Sequence, residues 1–295
     1  MVHAYAYYNG EILPAEKIRL SPFQTGLLTG WGLFSTLRLY RGIPFAIEDH
    51  LARLDADARK LHIEIDGLLE QIPGALHALV ERNRALESMA RVYCIRNRGG
   101  LLDTPGSRPT DLLVFTADLR NWGPSARLRF QPHGRHAQSP LAATKTLTWS
   151  HNLVLLESAN QAGFDDVLLL NERGEISECT AANFFLVRAG RLVTPPLATS
   201  GALPGVSRKH LLEACARAGK MVAERVLFPL DLLSAEEAFI CSTTREIQPV
   251  VRVDDLQIPG PGPVTGEMAR LFRQEIDRYV EARLPKAIET ESATP

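Results

Sequence analysis

The pattern of the chain changes near its middle, at a short run of loop-forming residues. Residues 120–125 read Arg-Asn-Trp-Gly-Pro-Ser and show no apolar periodicity, which favours a linker over a helix or a strand. Helix-like and strand-like segments alternate before this run, whereas strand-like segments dominate after it. The 295 residues are enough for two hydrophobic cores. The sequence therefore predicts an α/β (α+β) protein of two domains: a small N-terminal α/β domain over 1–119, a linker over 120–126 and a larger C-terminal domain over 127–295.

The N-terminal half contains a hairpin signal, two helical patterns and one long strand. Asn9-Gly10 separates a Tyr-rich run from an Ile-Leu run, which predicts a hairpin turn. Apolar residues recur at helical spacing over 51–61, with Arg53 at the edge of the apolar stripe, and a second helix is predicted between 66 and 89. Residues 30–40 read as a strand, whose alternation puts three side chains on a face that we expect to look into a cleft: Phe34, Thr36 and Arg38.

The C-terminal half contains more strands than helices. Helices are predicted at three places: between Lys145 and Gly163, from Pro204-Gly205 to Gly219, and after Thr265. Three strand-like runs, at 167–170, 182–187 and 191–194, read as a meander. Further short strands are predicted at 127–131, 221–226 and 238–241, and a Ser-Thr-Thr loop follows the last of them.

The composition is that of an ordinary globular protein. The formal net charge is −1 and 23% of the residues are charged, without the basic stripe that binding to a nucleic-acid backbone requires. No apolar run approaches membrane-spanning length, and the first residues lack the basic and apolar regions of a signal peptide. We therefore expect a cytoplasmic protein that binds neither nucleic acid nor a membrane.

Cysteine and histidine do not indicate a metal site. The four cysteines are scattered and form no Cys-x-x-Cys motif, so we expect reduced, structural thiols. The eight histidines form no His-Glu-x-x-His motif, and His133 with His136 lacks convincing further ligands. We expect no metal.

Two residues, Lys145 and Glu178, 33 positions downstream of it, together favour pyridoxal phosphate chemistry. A lysine can form a Schiff base with the cofactor aldehyde, and a carboxylate can keep the pyridine nitrogen protonated so that the ring accepts electrons. Each residue also has an ordinary explanation, since most lysines are solvated surface charges and a carboxylate can simply lie at a strand edge. The pair gains weight only if the chain also offers donors for a phosphate group.

Three segments can supply such donors. Residues 205–208, Gly-Val-Ser-Arg, open a predicted helix, where free backbone amides and the helix dipole favour an anion. Residues 242–244, Ser-Thr-Thr, offer hydroxyls on a loop, and Arg53 offers a cation. Each of these features is common without any ligand. Their order along the chain, together with Lys145 and Glu178, makes coincidence a poor explanation.

In this order the motifs resemble those of the class IV aminotransferase family, the fold-type IV pyridoxal phosphate enzymes that include branched-chain aminotransferases, D-amino acid aminotransferases and aminodeoxychorismate lyases. The resemblance extends over nearly the whole chain and rests on six places: 48–54, Lys145 with Asn152, 178–183, 194–196, 203–208 and 242–250. It implies a small α/β domain, a larger domain with a mixed and barrel-like sheet, and pyridoxal 5'-phosphate in the cleft between them. It also implies a homodimer in which each site is completed by the second subunit.

The resemblance also implies roles for individual residues. Lys145 would be the Schiff-base lysine and Glu178 the partner of the pyridine nitrogen, which makes them the two catalytic residues. Six further residues would bind the cofactor, four of them around its phosphate (Arg53, Val206, Ser207 and Thr243) and two beside these: Asn183 and Ser242. Seven residues are candidates for substrate contact, the arginines among them for a carboxylate: Phe34, Thr36, Arg38, Arg96, Arg98, Arg108 and Thr244.

The family carries out more than one reaction. We expect an aminotransferase that moves an amino group between an amino acid, or an amine, and a 2-oxo acid through a Schiff base on Lys145. The alternative is a 4-amino-4-deoxychorismate lyase, which releases pyruvate and 4-aminobenzoate. Residues 34–36, Phe-Ser-Thr, resemble the Phe-Thr-Thr of the lyases, and no Arg-x-His pair of the D-amino acid enzymes occurs between Arg98 and Pro109. A catalytically silent homologue is a third interpretation, against which the intact Lys145 and Glu178 argue.

Overall fold

The chain folds around two β-sheets in the computed structural model, which describes residues 1–99 and 108–284. The first sheet has the strand order β2-β1-β6-β5-β3-β4, and each neighbouring pair is antiparallel. Its strands are β1 (Val2–Tyr8), β2 (Glu11–Pro14), β3 (Gly32–Tyr40), β4 (Ile43–Pro44), β5 (Ser88–Arg96) and β6 (Thr110–Ala117). The helices of this half are α1 (Thr25–Thr29), α2 (Ile47–Lys60) and α3 (Gln71–Asn83), with a 3₁₀ turn at Ala15–Lys17.

One face of the first sheet is covered by α2 and α3. Leu54 of α2 and Leu79 of α3 are buried in the same apolar cluster as Leu37 of β3 and Val92 of β5. Because successive side chains of a strand point to opposite faces, the alternation that buries Leu37 turns Thr36 to the other face of the sheet. That second face is therefore free to line a cavity.

Two local predictions in this half have different outcomes. The hairpin at Asn9-Gly10 is confirmed, and Asn9 there has a φ of 51°. The second helix is shorter than predicted, because α3 ends at Asn83 and Arg84 takes the left-handed conformation, with a φ of 53°. Neither glycine nor proline marks this helix end in the sequence, so the predicted helix runs into residues that belong to β5.

The second sheet combines parallel and antiparallel pairs in the order β12-β11-β10-β13-β14-β7-β8-β9, with β15 paired to β14. Its strands are β7 (Ala126–Gln131), β8 (Asp166–Leu170), β9 (Ile176–Cys179), β10 (Asn183–Arg188), β11 (Arg191–Thr194), β12 (Val222–Glu224), β13 (Glu237–Ser242), β14 (Glu246–Val253) and β15 (Leu256–Gln257). The helices of this half are α4 (Ser150–Gln161), α5 (Leu197–Ser200), α6 (Val206–Arg217) and α7 (Pro263–Glu281), with a 3₁₀ turn at Pro229–Ser234.

The predicted meander is wrong. β8 and β9 form one hairpin and β10 and β11 another, but three strands, β13, β14 and β7, lie between these hairpins in the sheet. Strand β7 is parallel to both of its neighbours, β14 and β8, and β14 is missing from the predicted strands. The pairing of β7 with β14 brings together residues that are far apart in the sequence, such as Leu128 and Val253. No local sequence pattern predicts such a contact.

The two halves of the chain are in direct contact. Phe45, which precedes α2, packs with Phe272 and Tyr279 of α7, at ring-centroid distances of 5.9 and 5.1 Å. Strand β6 ends at residue 117 and β7 begins at residue 126, the last residue of the predicted linker. The division into domains stays a prediction, and residues 285–295 at the end of the predicted second domain lie outside the described residues. Among the helices of the described ranges, none has the length and apolar character needed to span a membrane.

Candidate active site

A cavity of about 490 Å³ is lined by residues of both sheets. Lys145 and Glu178 both line it. So do the other residues that the sequence predicts for cofactor binding, and three of those predicted for substrate contact. These residues are Arg53, Asn183, Val206, Ser207, Ser242 and Thr243 in the first group, and Phe34, Thr36 and Thr244 in the second. The structure thus brings together segments that lie more than half the chain apart.

Lys145 is held against β3 by its backbone. Its carbonyl accepts a hydrogen bond from the Phe34 N–H at 3.0 Å, and its own N–H donates to Asp57 Oδ2 at 3.1 Å. The amine Nζ lies 4.5 Å from the centroid of the Phe34 ring. Burial, helped by the positive charge of Arg53, lowers the pKa of Lys145 to about 7. Near neutral pH a large share of this amine is therefore unprotonated, which is the form that acts as a nucleophile or a base.

Glu178 lies on β9, buried, with donors around its carboxylate. Arg135 Nη2 donates to Oε1 at 2.8 Å, and the Leu203 N–H donates to Oε2 at 3.0 Å, with Asn183 Nδ2 at 3.4 Å from the same oxygen. Burial raises the pKa of Glu178, and the charge of Arg135 opposes this shift. The result is a carboxylate with a fixed orientation at the cavity wall.

Asn183 connects this carboxylate to the loop before α6. Its Nδ2 also donates to the Leu203 carbonyl at 2.9 Å. A Cβ atom at residue 205 would lie 2.0 Å from Asn183 Oδ1, so the loop approaches this side chain to a distance that only glycine permits. Packing against Asn183 therefore explains a glycine at position 205, whether or not an anion binds at the start of the helix.

One end of the cavity collects donors suited to an anion. Helix α6 begins at Val206 without a side-chain cap, and Gly205, Val206 and the buried Ser207 line the cavity. The turn that closes the β13–β14 hairpin, from Ser242 to Glu246, brings Thr243 into the same cavity. Free backbone amides, hydroxyls and a helix dipole together favour a negatively charged group.

Arg53 is positioned at this end by a buried network. Its Nη1 donates to the Pro204 carbonyl at 3.3 Å and its Nη2 to Ser35 Oγ at 3.2 Å, while Ser35 Oγ lies 2.8 Å from His50 Nδ1. Burial holds the pKa of His50 well below its usual value. A neutral His50 can accept the Ser35 proton, which leaves the Ser35 oxygen free to accept from Arg53. The sequence does not indicate this supporting role of Ser35 and His50.

Four predicted substrate arginines are not part of the described cavity wall: Arg38, Arg96, Arg98 and Arg108. Arg38 pairs with Glu87 at 3.1 Å, and the Arg96 guanidinium stacks on Trp31, 3.9 Å from the ring centroid. Arg98 is exposed, and Arg108 lies 3.9 Å from Asp111 Oδ1. Their proposed contact with a carboxylate stays a prediction that this geometry does not support.

The structure places other residues in the cavity instead. Four residues that the sequence does not predict for the site also line it: Arg91, Arg120, Trp122 and Arg135. Arg91 lies just beyond the predicted second helix, which is expected to run to residue 89. The structure ends this helix at Asn83 and places Arg91 on β5, whose side chains can reach the cavity. Arg120 and Trp122 lie in the predicted linker, where side chains carry no periodic signal.

One histidine lies among carboxylates away from the cavity wall. Ligand atoms of His210, Glu213 and Glu275 lie within 4.8 Å of one another among the described residues. Both ring nitrogens of His210 already have carboxylate partners, Asp49 at 2.8 Å and Glu275 at 3.2 Å. These bonds connect α2, α6 and α7, which gives the cluster a role in packing.

The residues present fit pyridoxal 5'-phosphate. A phosphate requires charge and N–H or O–H donors, which the α6 N-terminus, the 242–244 turn and Arg53 supply at one end of the cavity. A pyridine nitrogen requires a buried carboxylate, and Glu178 is one. An aldehyde requires an amine that is neutral near pH 7, and Lys145 meets this condition.

Known proteins match this chain over most of its length. A branched-chain-amino-acid aminotransferase of Methanocaldococcus jannaschii, described as putative, is 29% identical over 90% of this chain and 94% of that protein. An aminodeoxychorismate lyase of Bacillus subtilis is 28% identical over 94% of this chain and 96% of its own length. The crystal structure of Escherichia coli branched-chain amino acid aminotransferase superposes with a TM-score of 0.85 at 25% identity, over 93% of this chain and 95% of that one.

A sequence model of the family described as amino-transferase class IV matches residues 32–253, which is most of the chain. This match confirms the resemblance inferred from the motifs, and the superposition confirms the predicted fold class with its mixed, curled second sheet. Pyridoxal phosphate, the cofactor on which the family depends, is likewise confirmed. The chain is therefore an enzyme that belongs to the class IV aminotransferase family.

Proposed function

We propose that this enzyme transfers an amino group between an amino acid or amine and a 2-oxo acid, with Lys145 as its reactive amine. One observation carries the proposal: the Lys145 amine, whose pKa burial lowers to about 7, opens into the same cavity as the buried Glu178 and the anion-binding end. An ordinary surface lysine would be protonated at neutral pH and would be a poor nucleophile.

Each of these residues has a task that its surroundings support. When bound, the cofactor supplies an aldehyde that the Lys145 amine takes up as a Schiff base, and a ring that accepts electrons. Lys145 Nζ, once free and neutral, is placed to take the Cα proton of a substrate and to return a proton later. Glu178 would accept a hydrogen bond from the pyridine N–H and keep that proton in place. The phosphate would be held by Arg53, Val206, Ser207 and Thr243.

The lyase reaction is the second candidate, and a specific observation favours it. Residues 34–36, whose Phe-Ser-Thr sequence resembles the Phe-Thr-Thr of the lyases, line or support the cavity. The aminodeoxychorismate lyase of Bacillus subtilis matches the chain about as well as the branched-chain enzymes do. A lyase uses the same lysine and the same buried carboxylate, so these residues do not separate the two reactions. The intact Lys145 and Glu178 argue against a catalytically silent homologue.

A spectroscopic experiment tests the proposal. The purified protein, loaded with pyridoxal phosphate, is mixed with a panel of L- and D-amino acids and amines without any 2-oxo acid. We expect at least one donor to convert the absorption of the aldehyde-derived cofactor into that of the pyridoxamine form. A cofactor band that no donor changes, combined with pyruvate release from aminodeoxychorismate, would replace the aminotransferase with the lyase.

The homodimer and the cytoplasmic location are part of the proposal. Large apolar side chains are exposed at α1 and on α4, where Leu28 is 55% and Val154 is 65% exposed. The end of α1 and the segment before α4 are joined by a hydrogen bond, since Thr148 Oγ1 donates to the Gly30 carbonyl at 3.0 Å. Exposed large apolar side chains near one another are typical of a protein interface. In sedimentation analysis we expect the unmodified enzyme to be a dimer and Leu28→Glu to shift toward monomer. If both proteins are monomers, the proposed dimer is rejected.

A further inference from the structure

The arginines of the cavity differ in whether they have a carboxylate partner. Five line it among the described residues: Arg53, Arg91, Arg120, Arg135 and Arg245. Arg135 pairs with Glu178 and Arg245 with Asp166, each at 2.8 Å. The other carboxylate at the wall, Asp118, is bound to the terminal amine of Met1 and to His3. The cavity therefore keeps an excess of positive charge, and this charge favours an anionic ligand beyond the phosphate that Arg53 would bind.

Arg91 is the less exposed of the two remaining arginines, and its guanidinium has unused donors. Its Nη1 donates to Tyr93 Oη at 2.9 Å. Its Nε is buried without a hydrogen-bond partner, and among the described residues the guanidinium makes the one hydrogen bond from Nη1. Nε and Nη2 form the edge of a guanidinium that binds both oxygens of a carboxylate at once. A buried donor without a partner is costly, and a bound carboxylate would remove that cost.

The position of Arg91 relative to Lys145 is set by the Phe34 ring. The guanidinium carbon lies 5.8 Å from the ring centroid, and Lys145 Nζ lies 4.5 Å from it. Their sum, 10.3 Å, is the upper limit on the separation of the two cations. A small carboxylic acid can span this distance, with its reacting carbon near Nζ and its carboxylate at Arg91.

On the basis of the proposed aminotransferase function, we propose that Arg91 binds a carboxylate of the substrate and makes the enzyme select amino acids and 2-oxo acids over simple amines. The strand register supports this assignment, since Arg91 of β5 lies directly opposite Thr36 of β3, which also lines the cavity. Arg120 is exposed and stacks on Trp122, with its guanidinium carbon 4.5 Å from the ring centroid, so it adds charge at the cavity without a fixed geometry.

Equilibrium binding of a matched pair of unreactive ligands tests this inference. The cofactor-loaded enzyme is titrated with 4-methylpentanoate and with 4-methylpentanamide, which have nearly the same shape but differ in charge. We expect the unmodified enzyme to prefer the acid. Arg91→Met should weaken binding of the acid roughly 10- to 100-fold, the range for a hydrogen bond to a charged group, and leave the amide unchanged. Arg91→Lys should recover part of the loss.

Arg82 provides the matched control. Its guanidinium stacks on Tyr5, 4.4 Å from the ring centroid, and its Nη2 lies 3.4 Å from the tyrosine hydroxyl, so it resembles Arg91 in its contacts but lies outside the cavity. Arg82→Met should leave the preference for the acid intact. Unchanged acid binding in Arg91→Met, or equal losses for acid and amide, would overturn the inference.

The two proposals fail in different ways. If the enzyme exchanges amino groups but Arg91→Met still prefers the acid, the role of Arg91 is rejected and the aminotransferase function stands. If Arg91→Met loses the preference for the acid but none of the tested amino donors converts the cofactor, the role of Arg91 stands and the aminotransferase function is rejected. Should Arg91→Met fail to fold or to bind cofactor, the acid-to-amide ratio of Arg91→Lys decides, since lysine cannot reproduce two parallel hydrogen bonds.

Discussion

The two walls of the cavity differ in whether their charged side chain has an oppositely charged partner among the described residues. The cofactor wall, formed by Glu178, Asn183, 205–207 and 242–244, has its buried carboxylate bound by three donors. The substrate wall, formed by Phe34, Thr36 and Arg91 of the first sheet, presents an aromatic ring and a cation with unused donors. Groups that bind one another keep one arrangement before a ligand arrives, whereas unpaired donors obtain their partner from the ligand. We therefore expect changes in the first wall to alter the cofactor and changes in the second to alter substrate selection.

The largest effect is expected for Lys145→Ala, because Lys145 lies between the two walls and both proposed reactions require its amine. The variant should lose the absorption band of the bound aldehyde and all measurable turnover. Absorption spectra and single-turnover assays of the loaded protein check this. Lys220→Ala, which removes a lysine paired with Glu267 on the surface, should behave like the unmodified enzyme. Full activity in Lys145→Ala would show that neither reaction uses this amine.

Glu178→Gln should separate chemistry from binding at the cofactor wall. A neutral amide cannot hold the proton on the pyridine nitrogen, so proton abstraction should slow roughly 100-fold or more, while cofactor affinity changes far less. Rapid-mixing measurements of a half-reaction and a cofactor titration give the two quantities. Glu175→Gln also removes a carboxylate partner of an arginine, Arg173, but lies outside the cavity, and it should leave the rate intact. Equal rates for both variants would contradict the role of Glu178.

The sequence predicts the cofactor wall far better than the substrate wall, for a physical reason. Residues 205–207 and 242–244 act through a helix start and a tight turn, which are local features with recognisable residues. Arg91 acts through the register of β5 against β3, and it becomes visible only once the end of α3 at Asn83 is known. The same distinction holds for the fold: hairpins such as β1–β2 are predictable from short patterns, whereas the parallel pairing of β7 with β14 is not.

Arg53→Ala should reduce cofactor affinity by roughly 1.5–3 kcal/mol, the range for a hydrogen bond to a charged group, without changing the preference for acid over amide. Titration of the cofactor-free protein with pyridoxal phosphate measures the first quantity. Arg59, on the same helix, pairs with Asp55 at the surface and provides the control, since Arg59→Ala should leave the affinity unchanged. A loss of acid preference in Arg53→Ala would mean that the two walls are not separate in function.

The smallest effect is a dependence on pH, which follows from the burial that the two walls impose on Lys145. Burial lowers the pKa of this amine to about 7, so the neutral form that attacks an aldehyde predominates above this pH. Uptake of pyridoxal phosphate by the cofactor-free protein should fall about tenfold per pH unit below 7 and become level above it. The same lysine in the unfolded chain has its ordinary pKa of 10.5, so between pH 7 and 10.5 the unfolded state binds more protons than the folded state does. The free energy of unfolding should therefore rise with pH over that window. Stopped-flow absorption measures the uptake, with a lysine peptide as the reference. An uptake rate that keeps rising to pH 10, as for the peptide, would show that the cavity leaves Lys145 solvated.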